Sequence, residues 1–389
     1  MIDRNNEIGP DMILTNARIV LDERVIERGW VAVDGGLIAE VGEGNAPERG
    51  EDMQGDLVMP GLIELHTDHL EAHYVPRPKV YWDPVAAVVS YDGQLATSGI
   101  TTVLDSLRVW RDDGADDADG QFDVLSAAID KARAADLLRA DHFLHLRCEV
   151  PMPMVVEDAA RLAVRPDVKL MSLMDHTPGQ RQFRDAEKLK DYYRGKKGGL
   201  NEAELEEMFA RRYDFQKRYA ADNLRGLVAL AKKHNVPLAS HDDTTEENVA
   251  DAVRDEVAVA EFPTTIEAAR GLHGAGIAIL MGAPNVVRGG SHSGNIAAAD
   301  LAHEGFLDIL SSDYIPSSLL MGALQLPERI PAITLPQAVR TVTKAPAEAV
   351  GLDDRGEIAS GKRADLIRVR IAAGVPMVRS VWRAGQRMA

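Results

Sequence analysis

Histidines and carboxylates in this chain gather where apolar runs stop. The run 61–66 ends in His66, with Asp68 two residues on; 142–149 ends in Glu149; and 168–175 ends in Asp175, followed by His176. Run 236–241 ends in His241-Asp242-Asp243, 257–261 in Glu261 and 307–313 in Asp313. A buried ion without a partner costs several kcal/mol, so this many need a shared compensation. A divalent cation would neutralise the carboxylates and use the imidazoles. The spacing of His66 and Asp68 puts both on one face of a strand. Each residue also has a plainer reading. His241 could be a hydrogen-bonded core residue, and Asp313, after Ser311-Ser312, could cap a helix. Glu149 and Glu261 could pair with arginines such as Arg147, and His176 could stand behind the ligands, as could Asp175. His142, His145, His234, His273 and His303 precede strand ends or sit on helices and are read as structural or surface residues.

Two segments have the makings of an anion site. Arg288-Gly289-Gly290-Ser291-His292-Ser293-Gly294-Asn295 combines glycine-opened backbone N–H groups with hydroxyls, an arginine and a histidine. Such loops cradle phosphate, and barrels hold phosphate in this position. Arg77 and Lys79 are stiffened by Pro76 and Pro78. The plainer reading of both segments is a solvated loop.

Something must bring these residues together. The six runs above, with 99–105 and 277–282, make eight candidate buried strands. Amphipathic stretches separate most of them, the clearest being 202–233, stopped by His234-Asn235-Val236-Pro237. Alternating strands and helices predict an α/β fold, a (β/α)8 TIM barrel, whose strand C-termini converge on one mouth. An open doubly wound sheet is the alternative, although no Gly-x-Gly-x-x-Gly turn follows any strand. The two chain ends are different, with short β-rich segments and turns such as Asp34-Gly35-Gly36. Neither end has enough strands for its own core, so both are expected in one small β-sandwich. The expected boundaries are 1–58 and 346–389 for the sandwich and 59–345 for the barrel.

Composition narrows the partners. The 389 residues carry a net charge of −17, and aromatics are 5 %. An acidic surface with few aromatics is a poor nucleic-acid binder, but a cleft can still take a phosphorylated small molecule. One cysteine, Cys148, excludes an intrachain disulfide and a cysteine zinc site. No apolar run reaches the ~18–20 residues of a membrane helix, and the first residues lack a signal core. No membrane association and a cytoplasmic setting are expected.

Val58-Met59-Pro60-Gly61-Leu62-Ile63-Glu64-Leu65-His66 resembles the Pro-Gly-x-Ile-Asp-x-His opening of the amidohydrolase superfamily. Lys344-Ala345-Pro346-Ala347 and the segment from Gly356 to Leu366 resemble its closing motifs. Six ordered blocks resemble one branch, the diphosphatases of the carbon–phosphorus lyase pathway. They are His66-Thr67-Asp68-His69-Leu70-Glu71, Pro76-Arg77-Pro78, His145-Leu146-Arg147-Cys148-Glu149, Met174-Asp175-His176-Thr177-Pro178-Gly179-Gln180, Glu261-Phe262-Pro263-Thr264-Thr265 and the Arg288–Asn295 loop.

The resemblance implies that a metal-activated water hydrolyses a ribose 5-triphosphate bearing methylphosphonate on C1, giving the 5-phosphate and diphosphate. It implies metal ligands His66, Asp68, Glu149, His241 and Glu261, with Asp313 handling the water proton. Arg288, Ser291, His292, Ser293, Asn295, Arg77 and Lys79 would hold phosphate, and Asp175 and His176 would support the ligands. The chain departs from the superfamily pattern: Asp68 replaces the second histidine of His-x-His, Glu261 replaces a sixth-strand histidine, and no lysine ends the fourth strand. An oxygen-rich site admits manganese, iron or magnesium beside zinc, the first expectation, as one ion or two. Amide hydrolysis, of the dihydroorotase or deacetylase kind, and a non-catalytic scaffold are the rival readings. A homo-oligomer and association with other phosphonate-pathway proteins are also expected.

Overall fold

The computed structural model describes residues 10–109, 121–179, 181, 189–190, 194, 201–291 and 294–389. The N-terminal strands are β1 (Met12–Val20), β2 (Val25–Asp34), β3 (Leu37–Glu43), β4 (Glu51–Asp52) and β5 (Leu57–Pro60). The middle holds β6 (Leu62–Thr67), β7 (Ile100–Val109), β8 (Asp141–Glu149), β9 (Val168–Met174), β10 (Leu238–His241), β11 (Val259–Glu261), β12 (Ala278–Gly282) and β13 (Ile309–Ser311). The last strands are β14 (Leu366–Ala372), β15 (Val375–Arg383) and β16 (Gln386–Arg387).

Strands β6 to β13 are parallel neighbours in chain order, each at one of the eight apolar runs. The seam between β13 and β6 closes through a bridge from Thr67 to Asp313. The barrel is therefore the arrangement, and the open sheet is not. Helices cover its outside, among them Pro84–Thr97, Gln121–Ala134 and Glu202–His234. The last begins in a capping box, Asn201 with Glu204, and ends at Asn235, whose φ of 54° stops it where the sequence predicts.

The barrel interior is plugged by Ile63, Leu65, Leu104, Leu170, Ala239, Val259, Leu280 and Ile309, with Phe143 supplied by β8. Two residues further along the seven strands β7 to β13, on the same face, side chains turn polar or small: Ser106, His145, Ser172, His241, Glu261, Gly282 and Ser311. Strand periodicity thus turns an apolar floor into a polar layer one step nearer the mouth.

Both chain ends share one sheet in the order β16-β15-β14-β5-β1-β2-β3, with β4 on β1. The antiparallel pairing of β5 with β14 joins the two termini. Register shifts in β1, β2 and β14 accompany a core of its own, including Leu14, Ile19, Val58, Leu366 and Trp382. Pro60-Gly61 links this sheet to the barrel. Gly61 donates to Asp365 O at 2.8 Å, and a methyl group there would collide with the Thr101 side chain. That close approach explains the glycine before the first barrel strand.

Candidate metal-binding active site

His66 reaches the interior through an irregularity. The register between β6 and β7 slips between Glu64 and Thr67, a bulge of the kind that re-aims side chains. Glu64, 0 % exposed, fixes it. Its carboxylate accepts from His66 N at 2.7 Å, Ser311 Oγ at 2.8 Å and Ser312 N at 2.6 Å. The first and eighth strands are thereby stapled beneath the mouth.

Glu261 lies at the centre. Its Oε1 is 2.9 Å from His66 Nδ1, and its Oε2 is 3.0 Å from His241 Nδ1 and 2.8 Å from Ser172 Oγ. Burial raises its proton affinity, but His66 and His145 outweigh burial and hold the carboxyl well below its usual range. His66 moves the other way: burial lowers its pKa, Glu261 raises it, and the net direction is up.

His145 completes the deep cluster. Its Nδ1 faces Leu65 O at 2.8 Å. A carbonyl only accepts, so Nδ1 carries the proton and Nε2 presents a lone pair. Burial lowers the ring's pKa to about 3, so it is neutral at pH 7. The same Nε2 meets Ser172 Oγ, whose single proton is also wanted by Glu261. Lone pairs on His145 and Glu261 thus outnumber the proton between them, and a cation fits that deficit. His66, His145 and Glu261 each aim a donor atom within 4.8 Å of the other two. His176, His241 and Asp242 form a second such group nearer the mouth. The rings of His66 and His241 stack at 5.6 Å, and those of His176 and His241 meet edge-on at 5.5 Å.

Of the five expected ligands, His66, His241 and Glu261 fall within these groups. Glu149 ends β8 and accepts from His176 N at 2.7 Å, with His176 Nδ1 2.6 Å from its other oxygen. Burial raises the carboxyl's pKa, but His176 outweighs it, and the result is about 2. Asp68 precedes the short helix His69–Tyr74 and faces Arg147 Nη1 at 3.4 Å and Arg108 Nη2 at 3.7 Å. Asp175 accepts from Thr177 N at 3.0 Å. Asp313 stands beside His66, with burial pushing its carboxyl up to about 6.

Three strand ends share an uncommon backbone. Asp242, Asp313 and Phe262 have φ of 56°, 55° and 55°, a left-handed conformation that side chains rarely adopt. Their N–H groups bond to Glu261 O, His66 O and Leu280 O at 2.9, 3.2 and 2.8 Å. Backbone strain of this kind, held by surrounding structure, collects at functional sites.

The expected anion segments are on loops. Arg288 is exposed at the end of the helix Ala283–Arg288. Ser291 and Asn295 are half-buried, while His292 and Ser293 lie outside the described residues. Ile296 N donates to Thr264 O at 3.1 Å, which ties this loop to the one following β11. Arg77 and Lys79 are exposed.

The sequence pattern assigns no ligand or binding role to His145, Arg147 or Asp242. It makes His145 structural, whereas His145 joins His66 and Glu261. The available signal was alternation: His145, Arg147 and Glu149 share the inward face of one strand.

A barrel whose strand ends carry two histidine–carboxylate groups, joined to a sheet built from both termini, defines a class. The chain belongs to the amidohydrolase family, whose model matches residues 57–388. It is 43 % identical over 382 residues, 97 % of this chain and 100 % of the relative, to the alpha-D-ribose 1-methylphosphonate 5-triphosphate diphosphatase of Escherichia coli (strain K12). Solved structures share the fold at low identity. A 5-methylcytosine deaminase from Klebsiella pneumoniae matches with a TM-score of 0.65 at 16 % identity, over 97 % of this chain and 98 % of that one. An adenosine deaminase from Xanthomonas campestris matches with a TM-score of 0.60 at 15 % identity, over 97 % and 92 %. No helix among the described residues is long and apolar enough to cross a membrane.

Proposed function

We propose that this chain hydrolyses α-D-ribose 1-methylphosphonate 5-triphosphate to the 5-phosphate and diphosphate. The carrying observation is the 43 % identity to the Escherichia coli diphosphatase, which spans the whole of that relative. The two histidine–carboxylate groups support it, because phosphoanhydride hydrolysis needs concentrated positive charge beside a proton acceptor.

His66, His145 and Glu261 would hold one divalent ion, with His176, His241 and Asp242 available for a second; Asp68 and Glu149 border them. Zinc is the first choice, with manganese, iron or magnesium as competitors. A bound divalent ion lowers the pKa of water and offsets charge on phosphoryl oxygens. The chain's own groups do the rest. Asp313 takes the proton from the attacking water. The water oxygen forms a bond to the phosphorus nearest ribose, the bond from that phosphorus to the bridging oxygen breaks, and diphosphate departs with the electron pair. His176 orders Glu149 through two contacts, and Asp175 shapes the turn that follows β9. Arg288, Ser291, His292, Ser293 and Asn295, with Arg77 and Lys79, take the outer phosphates.

The test is diphosphate release from the ribose triphosphate by protein reconstituted separately with zinc, manganese, iron and magnesium. Release with one of them is expected, and silence with all four overturns the reading. A cytoplasmic setting, a homo-oligomer and contact with other phosphonate-pathway proteins accompany the proposal. Sedimentation of the purified chain tests the oligomer.

A further inference from the structure

We propose that Arg147 is a catalytic residue that binds the phosphoryl group under attack, an inference that rests on the diphosphatase reading above. Arg147 lies on the inward face of β8, between His145 and Glu149, and is 9 % exposed. A guanidinium has five N–H donors and no acceptor. Among the described residues, the Arg147 guanidinium makes one hydrogen bond, from Nη1 to Asp68 Oδ2 at 3.4 Å. Its Nε is buried and meets no acceptor. A buried donor left unmet carries the full cost of its desolvation, and a charged one carries more. A structural arginine elsewhere in the chain looks different: Arg355 donates to Asp354, Asp141 and Thr102 at 2.7–3.0 Å. Arg181, near the mouth, likewise uses its Nη1 on His241 O and Asp243 Oδ1, at 2.5 and 3.0 Å.

The surroundings of Arg147 select the ligand. Asp68, Glu71, Asp313 and Glu261 all act on its charge, so it stays ionised despite burial. Of these, Glu71 is already bound by Arg108 Nε at 2.9 Å, and Glu261 by His66 and His241. The acids keep the cation charged without filling its donors, which leaves a forked donor set for an oxyanion that arrives with substrate. Planar paired donors suit two oxygens of one phosphoryl group. Arg147 follows the cluster residue His145 by two positions on the inward face of β8, and its Nη1 reaches Asp68, two residues after His66, whose carbonyl receives Asp313 N, so an oxyanion held there borders both the histidine–carboxylate cluster and the proton acceptor. Arg288, exposed at the end of its helix, and Arg77 and Lys79, exposed on a loop, suit the outer phosphates. The buried arginine suits the phosphorus where the bond breaks, because charge develops there in a water-poor setting where a fixed donor counts most.

The experiment uses the full metal-loaded chain and compares wild type with R147A, R147K and R147M. It measures bound metal per chain, the affinity for inorganic diphosphate, and kcat and KM for diphosphate release. Metal content is expected to stay at the wild-type level in all three. In R147A and R147M, kcat falls by about 100-fold or more, and diphosphate binds at least ~10-fold more weakly. R147K restores KM more than kcat, because it returns the charge without the fork. Added guanidinium raises the R147A rate and leaves wild type unchanged. Wild-type kcat and diphosphate affinity in R147A overturn the inference, as does a loss of rate matched by loss of metal. R147M, which keeps an apolar stem, decides by the same readings if R147A does not fold. A wild-type protein that binds diphosphate but does not hydrolyse the triphosphate fails the functional reading alone, and the binding comparison still decides Arg147.

Discussion

The main-chain nitrogen of Asp313 donates to the carbonyl oxygen of His66 at 3.2 Å. This bond joins the Glu64 contacts in closing the barrel seam and sets the proposed proton acceptor beside the first proposed metal ligand. Asp313→Asn preserves this main-chain bond and removes only the carboxylate. It should lower kcat by roughly 10²–10⁴, the usual range for a general base, while metal content and melting temperature stay at wild type. Steady-state kinetics with elemental analysis check this, and unchanged kcat would remove Asp313 from the mechanism.

Glu261 connects His66 and His241 through its two oxygens. Glu261→Gln keeps the size but supplies one acceptor oxygen and an N–H₂ that faces an imidazole nitrogen. Metal affinity should fall by more than the ~10–100-fold seen when an outer partner of a ligand is lost. Glu149→Gln should cost less, because Glu149 bonds His176 and belongs to neither three-residue group. Competition with a chelator ranks the variants. Equal affinities for E261Q and wild type would place the ion elsewhere.

Much of this arrangement was legible in the sequence. Barrel strands are buried on both faces and so read as continuous apolar runs, which is why all eight were found, seven ending within two residues of the expected stop and β7 running four residues past it. His66, His241 and Glu261 stood out because each closes or nearly closes such a run. His145 did not, because β8 continues for four residues beyond it and its chemistry depends on neighbours from β6, β9 and β11. The bulge that turns His66 inward arises from the pairing of β6 with β7, and no spacing within one strand records it. Asp68 shows the same limit. Its period-2 relation to His66 is real, but the strand stops at Thr67, and its side chain meets Arg147 and Arg108. The β-rich ends were legible as partners. Their union through β5 and β14 into one hydrogen-bonded sheet required the long-range register.

Glu64 should matter for stability more than its distance from the reacting atoms suggests. It accepts from His66 N, Ser311 Oγ and Ser312 N in a fully buried seam. Glu64→Ala leaves His66 N and Ser312 N unmet, at about 1–3 kcal/mol each, while Ser311 Oγ can still donate to His66 O, so a loss on the order of 2 kcal/mol or more is expected. Glu64→Gln retains one acceptor oxygen and should lose less. Urea denaturation of both variants tests the ranking, and a Glu64→Ala midpoint equal to wild type would show that the staple carries no net stability.

His142 provides a pH-dependent contribution on the outer side of the barrel. Its Nδ1 is 2.8 Å from Asp105 Oδ2, and its Nε2 is 3.3 Å from Asp92 Oδ1, all three side chains being fully buried. Asp92 is also held by Arg139, with Nη1 at 3.1 Å and N at 2.9 Å, and by Ala140 N at 2.9 Å. Tyr91 packs its ring 6.0 Å from the imidazole. Burial works against the charged ring, but Asp105 and Asp92 outweigh it, and the pKa rises from 6.5 to about 9. The native state therefore holds a proton that the unfolded chain releases at lower pH. Its stabilisation is fully present below about pH 6.5 and is lost as pH rises through about 9. The slope in that window has a ceiling near ~1.4 kcal/mol per pH unit for one proton. Urea unfolding of wild type and His142→Gln should be compared between pH 6 and 10. The variant, which cannot take up the proton, should be less stable at pH 6 and show a shallower decline. Parallel stability curves for the two proteins would mean that His142 is neutral in the fold, and that the two aspartates draw their compensation from Arg139 and the main chain instead.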